Sequence, residues 1–82
     1  MYLAKVYVFL KPTVNDPQGL TIKGALHNLG FSEVSQVRVG KYIEIKIGED
    51  IMDKARERID QMCHELLSNP VIENYSFDME KI

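Results

Sequence analysis

One stretch near the start of the chain limits the fold more than any other. From Tyr2 to Lys11 the side chains alternate for ten residues, with Ala4, Val6, Val8 and Leu10 on one side and Lys5, Tyr7, Phe9 and Lys11 on the other. A period of two, filled with β-branched and aromatic residues, predicts a strand with an aliphatic face turned to a core. Pro12 lacks an amide donor and ends the ladder, and Thr13-Val14-Asn15 reads as a loop.

The period then changes. Asp16-Pro17-Gln18 is a helix start, with an acidic cap followed by proline at the first helical position, where a missing N–H costs nothing. Ile22, Ala25, Leu26 and Leu29 recur at helical spacing, and Gly30 stands where a left-handed cap belongs. Gly19 and Gly24 weaken such a helix by roughly 1 kcal/mol each relative to alanine. Val34–Val39 and Tyr42–Ile47 alternate again and are joined by Gly40-Lys41, which predicts a hairpin. Asp50 can cap a second helix, on which Met52, Ala55, Ile59, Met62, Cys63 and Leu66 form an apolar stripe; Ser68-Asn69-Pro70 stops it. Val71–Met79 is a last strand, with Val71, Tyr75, Phe77 and Met79 on one face.

The order β-α-β-β-α-β predicts an α+β, ferredoxin-like fold: a four-stranded antiparallel sheet with two helices on one face, the first and third strands central. The open face then carries Tyr7, Phe9 and Tyr42 among Lys5, Lys11, Arg38, Glu44 and Lys46. Three aromatics on adjacent strands predict a contact surface.

Composition narrows the class. Eighty-two residues make one domain, and 45% apolar with 27% charged residues excludes a disordered chain. No run approaches the ~18 apolar residues of a membrane span, and the N-terminus lacks the apolar block of a signal peptide, so a cytoplasmic location is expected. The single cysteine cannot form an internal disulfide or supply a structural zinc site. A chain this short buries only about 60–65% of its unfolded surface, so a partner or oligomer is expected.

The search for chemistry is mostly negative. Cys63 and His64 point about 100° apart on a helix and cannot act as a nucleophile–base pair; Cys63 reads as core. His27 has no evident catalytic partner, and Asp53, Glu57, Asp60 and His64 share a face that reads as solvated. No phosphate loop, dinucleotide fingerprint, zinc spacing or nucleophile elbow occurs, so no catalytic or metal site is expected. The strand order also suits RNA-recognition motifs, but Glu44 stands where a base would stack and the net charge is −2, which argues against nucleic acid.

Several strings in register resemble the PurS family, the small subunit of the multi-chain phosphoribosylformylglycinamidine (FGAM) synthase of purine biosynthesis. They are Val6-Tyr7-Val8-Phe9-Leu10-Lys11-Pro12, Asp16-Pro17-Gln18-Gly19, Ala25-Leu26, Val37-Arg38-Val39-Gly40-Lys41-Tyr42-Ile43-Glu44, Leu66-Leu67 after Cys63, and Asn69-Pro70-Val71-Ile72-Glu73-Asn74-Tyr75. The chain departs from the family pattern at Asn15, where an apolar residue is usual.

The resemblance implies a non-catalytic assembly subunit. It would join a PurQ-like glutaminase to a PurL-like synthetase that uses ATP and Mg²⁺, so that ammonia passes to formylglycinamide ribonucleotide; the chain itself would bind no cofactor. It also implies a homodimer or homotetramer. Candidate contacts to the other subunits are Asp16 and Gln18 in the loop, Arg38, Lys41 and Glu44 on the hairpin, and Asn69, Glu73 and Tyr75 around the last strand. Tyr7, Phe9 and Tyr42 are the candidates for self-association. A stand-alone ACT-type regulatory module, with the same element order and a small-molecule site near the Gly19 turn, is the competing expectation.

Overall fold

The computed structural model describes all residues from Met1 to Ile82. Tyr2–Leu10 forms β1, Pro17–Asn28 α1, Gly40–Ile47 β2, Met52–Met62 α2 and Glu73–Lys81 β3. The strands form one antiparallel sheet in the order β2-β1-β3, with β1 central as its alternation requires. Val6 pairs with Ile43 on one side and Phe77 on the other, and Ala4 with Ile45 and Met79. One sheet face is therefore a continuous apolar surface.

α2 covers that surface. Its stripe sets Ala55 and Ile59, with Cys63 just beyond, over Ala4, Val6 and Val8, and these six are buried. Past Met62 the helix widens into a π turn over Cys63–Leu67, closed where Ser68 donates from both its N–H (3.0 Å) and its hydroxyl (2.8 Å) to the Cys63 carbonyl. The Cys63 thiol is pushed up by burial and by the charge of Asp60, which suits a core side chain. No helix is long and apolar enough to cross a membrane.

The sheet has three strands where four are expected. Val34–Val39 forms no ladder, because its backbone groups are claimed from elsewhere. The Val34 carbonyl lies 2.8 Å from His27 Nε2, and the Val39 N–H donates to Asp16 Oδ2 at 2.7 Å. The segment thus runs back along α1 rather than beside β2. Without it β2 is an edge strand, not a central one, and Gly40-Lys41 belongs to β2 rather than to a hairpin tip. The observed order is the ferredoxin-like one with an outer strand missing.

A second correction concerns α1. It starts as expected, with Asp16 as N-cap and Pro17 in the first turn, and ends before Gly30 at φ +101°. Yet it stands off the sheet: Gly19 is its only buried residue, while Leu20 and Leu29 are 58% and 74% exposed. The two helices therefore do not share the sheet face. The molecule measures 50 × 27 × 14 Å with a radius of gyration of 16.3 Å, against about 12 Å for a compact domain of this length.

Smaller departures follow from local competition. Asp50 does not cap α2; Ile51 holds the cap position, and the Glu49 carboxylate accepts from the N–H groups of Asp50 (2.9 Å) and Ile51 (3.2 Å). β3 begins at Glu73 rather than Val71, because Asn69 draws residues 71–73 into a turn. Its side chain accepts from Val71 N–H (3.1 Å) and its carbonyl from Ile72 (3.1 Å) and Glu73 (2.7 Å).

Candidate functional site

Three segments far apart in sequence meet at the C-terminal end of β1, and Asp16 is the knot. Its Oδ1 accepts the Gly19 N–H at 2.9 Å, the usual N-cap bond, while Oδ2 accepts the Val39 N–H from the entry to β2. Asp16 as a residue is 5% exposed. The Val39 bond, then the Gly19 bond, then the nearby Arg38 charge hold its pKa below the usual carboxylate range. Gly19 is required at this point, because a Cβ there would lie 2.2 Å from the Val37 carbonyl oxygen. The backbones of α1 and the 35–39 segment touch because no side chain intervenes.

The other two segments join around this knot. Arg38 Nη2 donates to the Lys11 carbonyl at 3.1 Å, and the Lys11 N–H donates to the Ile72 carbonyl at 2.9 Å. Lys41 Nζ lies 3.9 Å from Glu73 Oε2, and the other Glu73 oxygen accepts the Asn69 N–H. Between them is a cleft of about 260 Å³ lined by Val8, Phe9, Leu10, Asp16, Gln18, Val39, Gly40, Lys41 and Glu73. A neighbouring cleft of about 460 Å³ opens on the other side of Asp16, lined by Asn15, Asp16, Leu20, Lys23, Ser35, Gln36, Val37 and Arg38.

Most of the expected contact residues are thus brought together. Asp16, Gln18, Lys41 and Glu73 line the first cleft, Asn69 lies behind Glu73, and Arg38 borders the second. Two are not. Glu44 is on the open face, where its carboxylate accepts the Tyr42 hydroxyl at 2.7 Å and raises that phenol's pKa. Tyr75 points to the inner face and donates to Asp60 at 2.7 Å, which pins β3 to α2 and pushes its pKa up to about 12. Its job is packing.

Tyr7, Phe9 and Tyr42 are exposed on the open face, with the Tyr7 and Tyr42 rings 5.3 Å apart. Phe9 also lines the first cleft, so the aromatic patch runs into the polar end of the sheet. Lys23 and Gln36 escaped the sequence reading. Their only signal is the four-residue step from Gly19 to Lys23, which has meaning only once Val37 is known to lie against Gly19. No group of three or more His, Cys, Asp or Glu side chains is arranged to hold a metal ion.

The sequence model of the PurS family, described as phosphoribosylformylglycinamidine (FGAM) synthase, matches residues 3–81. The chain belongs to the PurS family. Phosphoribosylformylglycinamidine synthase subunit PurS of Bacillus subtilis is 44% identical over 82 residues, covering 100% of this chain and 96% of its own. The crystal structure of Methanocaldococcus jannaschii PurS, one of the subunits of formylglycinamide ribonucleotide amidotransferase, superposes with a TM-score of 0.88 at 45% identity, covering 100% and 99% of the two chains. A chain in the structure of PurLQS from Thermotoga maritima gives 0.86 at 31% identity, covering 98% and 99%. Agreement of that degree over the full length shows that the chain shares the overall fold of these PurS structures.

Proposed function

We infer that this chain is the small subunit of phosphoribosylformylglycinamidine synthase, a part without an active site of its own that joins the glutaminase to the ATP-dependent synthetase. The observation that carries this is the family match over residues 3–81. The polar end of the sheet is consistent with it. Gln18, Arg38 and Lys41 are exposed there, and none of them serves the core.

The role is positional. Ammonia released from glutamine is protonated in water and then no longer attacks, so donor and acceptor sites must be held in line. A misplacement of about 1 Å at a composite site costs on the order of a hundredfold in rate. A subunit that sets this alignment is needed for turnover while contributing no reacting group.

Contact with the larger subunits is assigned to Asp16, Gln18, Arg38, Lys41, Asn69 and Glu73 at the end of the sheet, with Glu44 at its margin. Self-association is assigned to the Tyr7–Phe9–Tyr42 patch, giving a homodimer or homotetramer. The exposed leucines of α1 support a second copy as well, since a lone 82-residue chain with ten buried residues is poorly stabilised.

Mixing the purified chain with its matching glutaminase and synthetase subunits tests the assignment. Glutamine-dependent product formation is expected only when all three are present, and none from this chain alone; full activity without it would refute the assembly role. Phe9→Lys is expected to shift the mass by light scattering toward the monomer. An unchanged mass would move self-association off the aromatic patch.

A further inference from the structure

We propose that the cleft between α1 and residues 35–38 is the docking site for an acidic segment of a partner subunit, a proposal that rests on the assembly reading above. The cleft exists because of Gly19. Helix and loop touch there, and Lys23, four residues on and on the same side of α1, lines the opening. Arg38 stands across from it. One guanidinium N–H is engaged by the Lys11 carbonyl, which steadies the group and leaves four donors free.

The charge balance points to an anion. The ion pairs of the molecule are Lys5–Glu80 and Lys41–Glu73, so neither Lys23 nor Arg38 has a carboxylate partner. Asp16 is the only acid in the lining, and each of its oxygens is already bonded to a backbone N–H. Two cations without an ion-pair contact therefore face one space beside the donors of Ser35 and Gln36, and even with the Asp16 charge counted the lining is net positive on a chain whose net charge is −2. Charge-assisted hydrogen bonds to a carboxylate are the interaction such a group offers.

The openness of the site argues for a protein ligand. Small molecules bind in enclosed, mostly apolar pockets that cover some 70–90% of their surface. Here only Leu20 and Val37 are apolar and most of the lining is exposed, so the anion must arrive on something that brings contact area of its own.

Affinity of the full chain for its glutaminase and synthetase subunits, measured by titration at low and moderate salt, tests the proposal. Lys23→Glu and Arg38→Glu are each expected to weaken binding by about tenfold or more and to flatten its salt dependence. Lys23→Arg should retain it. Lys54→Glu, the same charge change on the exposed side of α2, should alter it by less than about twofold. Circular dichroism confirms that each variant is folded.

Reversals at Lys23 and Arg38 that behave like Lys54→Glu would overturn the cleft while leaving the assembly role standing. A wild-type chain that joins neither subunit would overturn both. If the reversals instead change only the mass of the isolated chain, the acid belongs to a second copy and the proposal fails. It fails too if millimolar glutamate or inorganic phosphate raises the wild-type melting temperature and not that of the variants, since the ligand is then a free anion.

Discussion

Asp16→Ala is expected to lower the melting temperature by roughly 5–10 °C at neutral pH, a large effect for a residue outside the apolar core. The substitution removes the N-cap of α1 and the acceptor for the Val39 N–H together, leaving that half-buried donor unsatisfied. Asp16→Asn should fall between wild type and alanine, because its single amide oxygen cannot serve both donors in the carboxylate's manner.

The effect depends on pH with a definite sign. The folded state holds the Asp16 carboxyl below its ordinary value, so protonation favours the unfolded chain. Its contribution is whole above the unfolded value of about 4 and disappears as pH falls through the lower, folded value. The melting curves of wild type and Asp16→Ala should therefore be furthest apart from about pH 5 upward and converge in stronger acid. A separation that stays constant down to about pH 2 would show that the carboxylate bonds do not hold the two segments together.

Ile59→Ala is the second large effect. Ile59 is fully buried on the one helix that covers the sheet, against Ala4, Val6 and Val8. Truncating such a residue costs about 2–5 kcal/mol, from lost apolar burial and the cavity left behind. Domains are stable by only about 5–15 kcal/mol, and a chain with so small a core belongs at the lower end. A fall of at least about 10 °C is expected, whereas Ile59→Val should cost only about 1 kcal/mol. If the chain self-associates as proposed, mass action makes the loss greatest at low protein concentration. A fall of less than about 3 °C would mean that stability comes from intersubunit contacts rather than the α2–sheet core.

The interior of this protein was legible in the sequence because it rests on periodicity. The alternation from Tyr2 to Leu10 marked the central strand and its buried face, and the stripe from Ala55 through Ile59 to Cys63 marked the helix that covers it. Asp16-Pro17 and Gly30 marked the two ends of α1, since cap chemistry acts over three or four residues. The strings that carry the family resemblance were equally visible.

Periodicity says which side of an element is apolar and nothing about what covers it. Ile22, Ala25, Leu26 and Leu29 repeat at helical spacing whether α1 lies on its own sheet or on another molecule, and only the tertiary structure shows it standing away. Val34–Val39 alternates well enough for a strand, but a strand needs a neighbour's free edge. Here Asp16 and His27 claim backbone groups of Val39 and Val34 that a ladder would need. Asp50 was the expected cap of α2, but Ile51 holds that position and the Glu49 carboxylate takes the N–H groups of Asp50 and Ile51 instead. The meeting of Lys23 with Arg38 is of the same kind. By itself the sequence determined the central strand, the two helices, the two outer strands that pair with it, the α2–sheet core and the family; the tertiary structure decided that Val34–Val39 forms no strand, which backbone groups pair across long separations and which apolar faces stay open, because those depend on competition in space that no local pattern records.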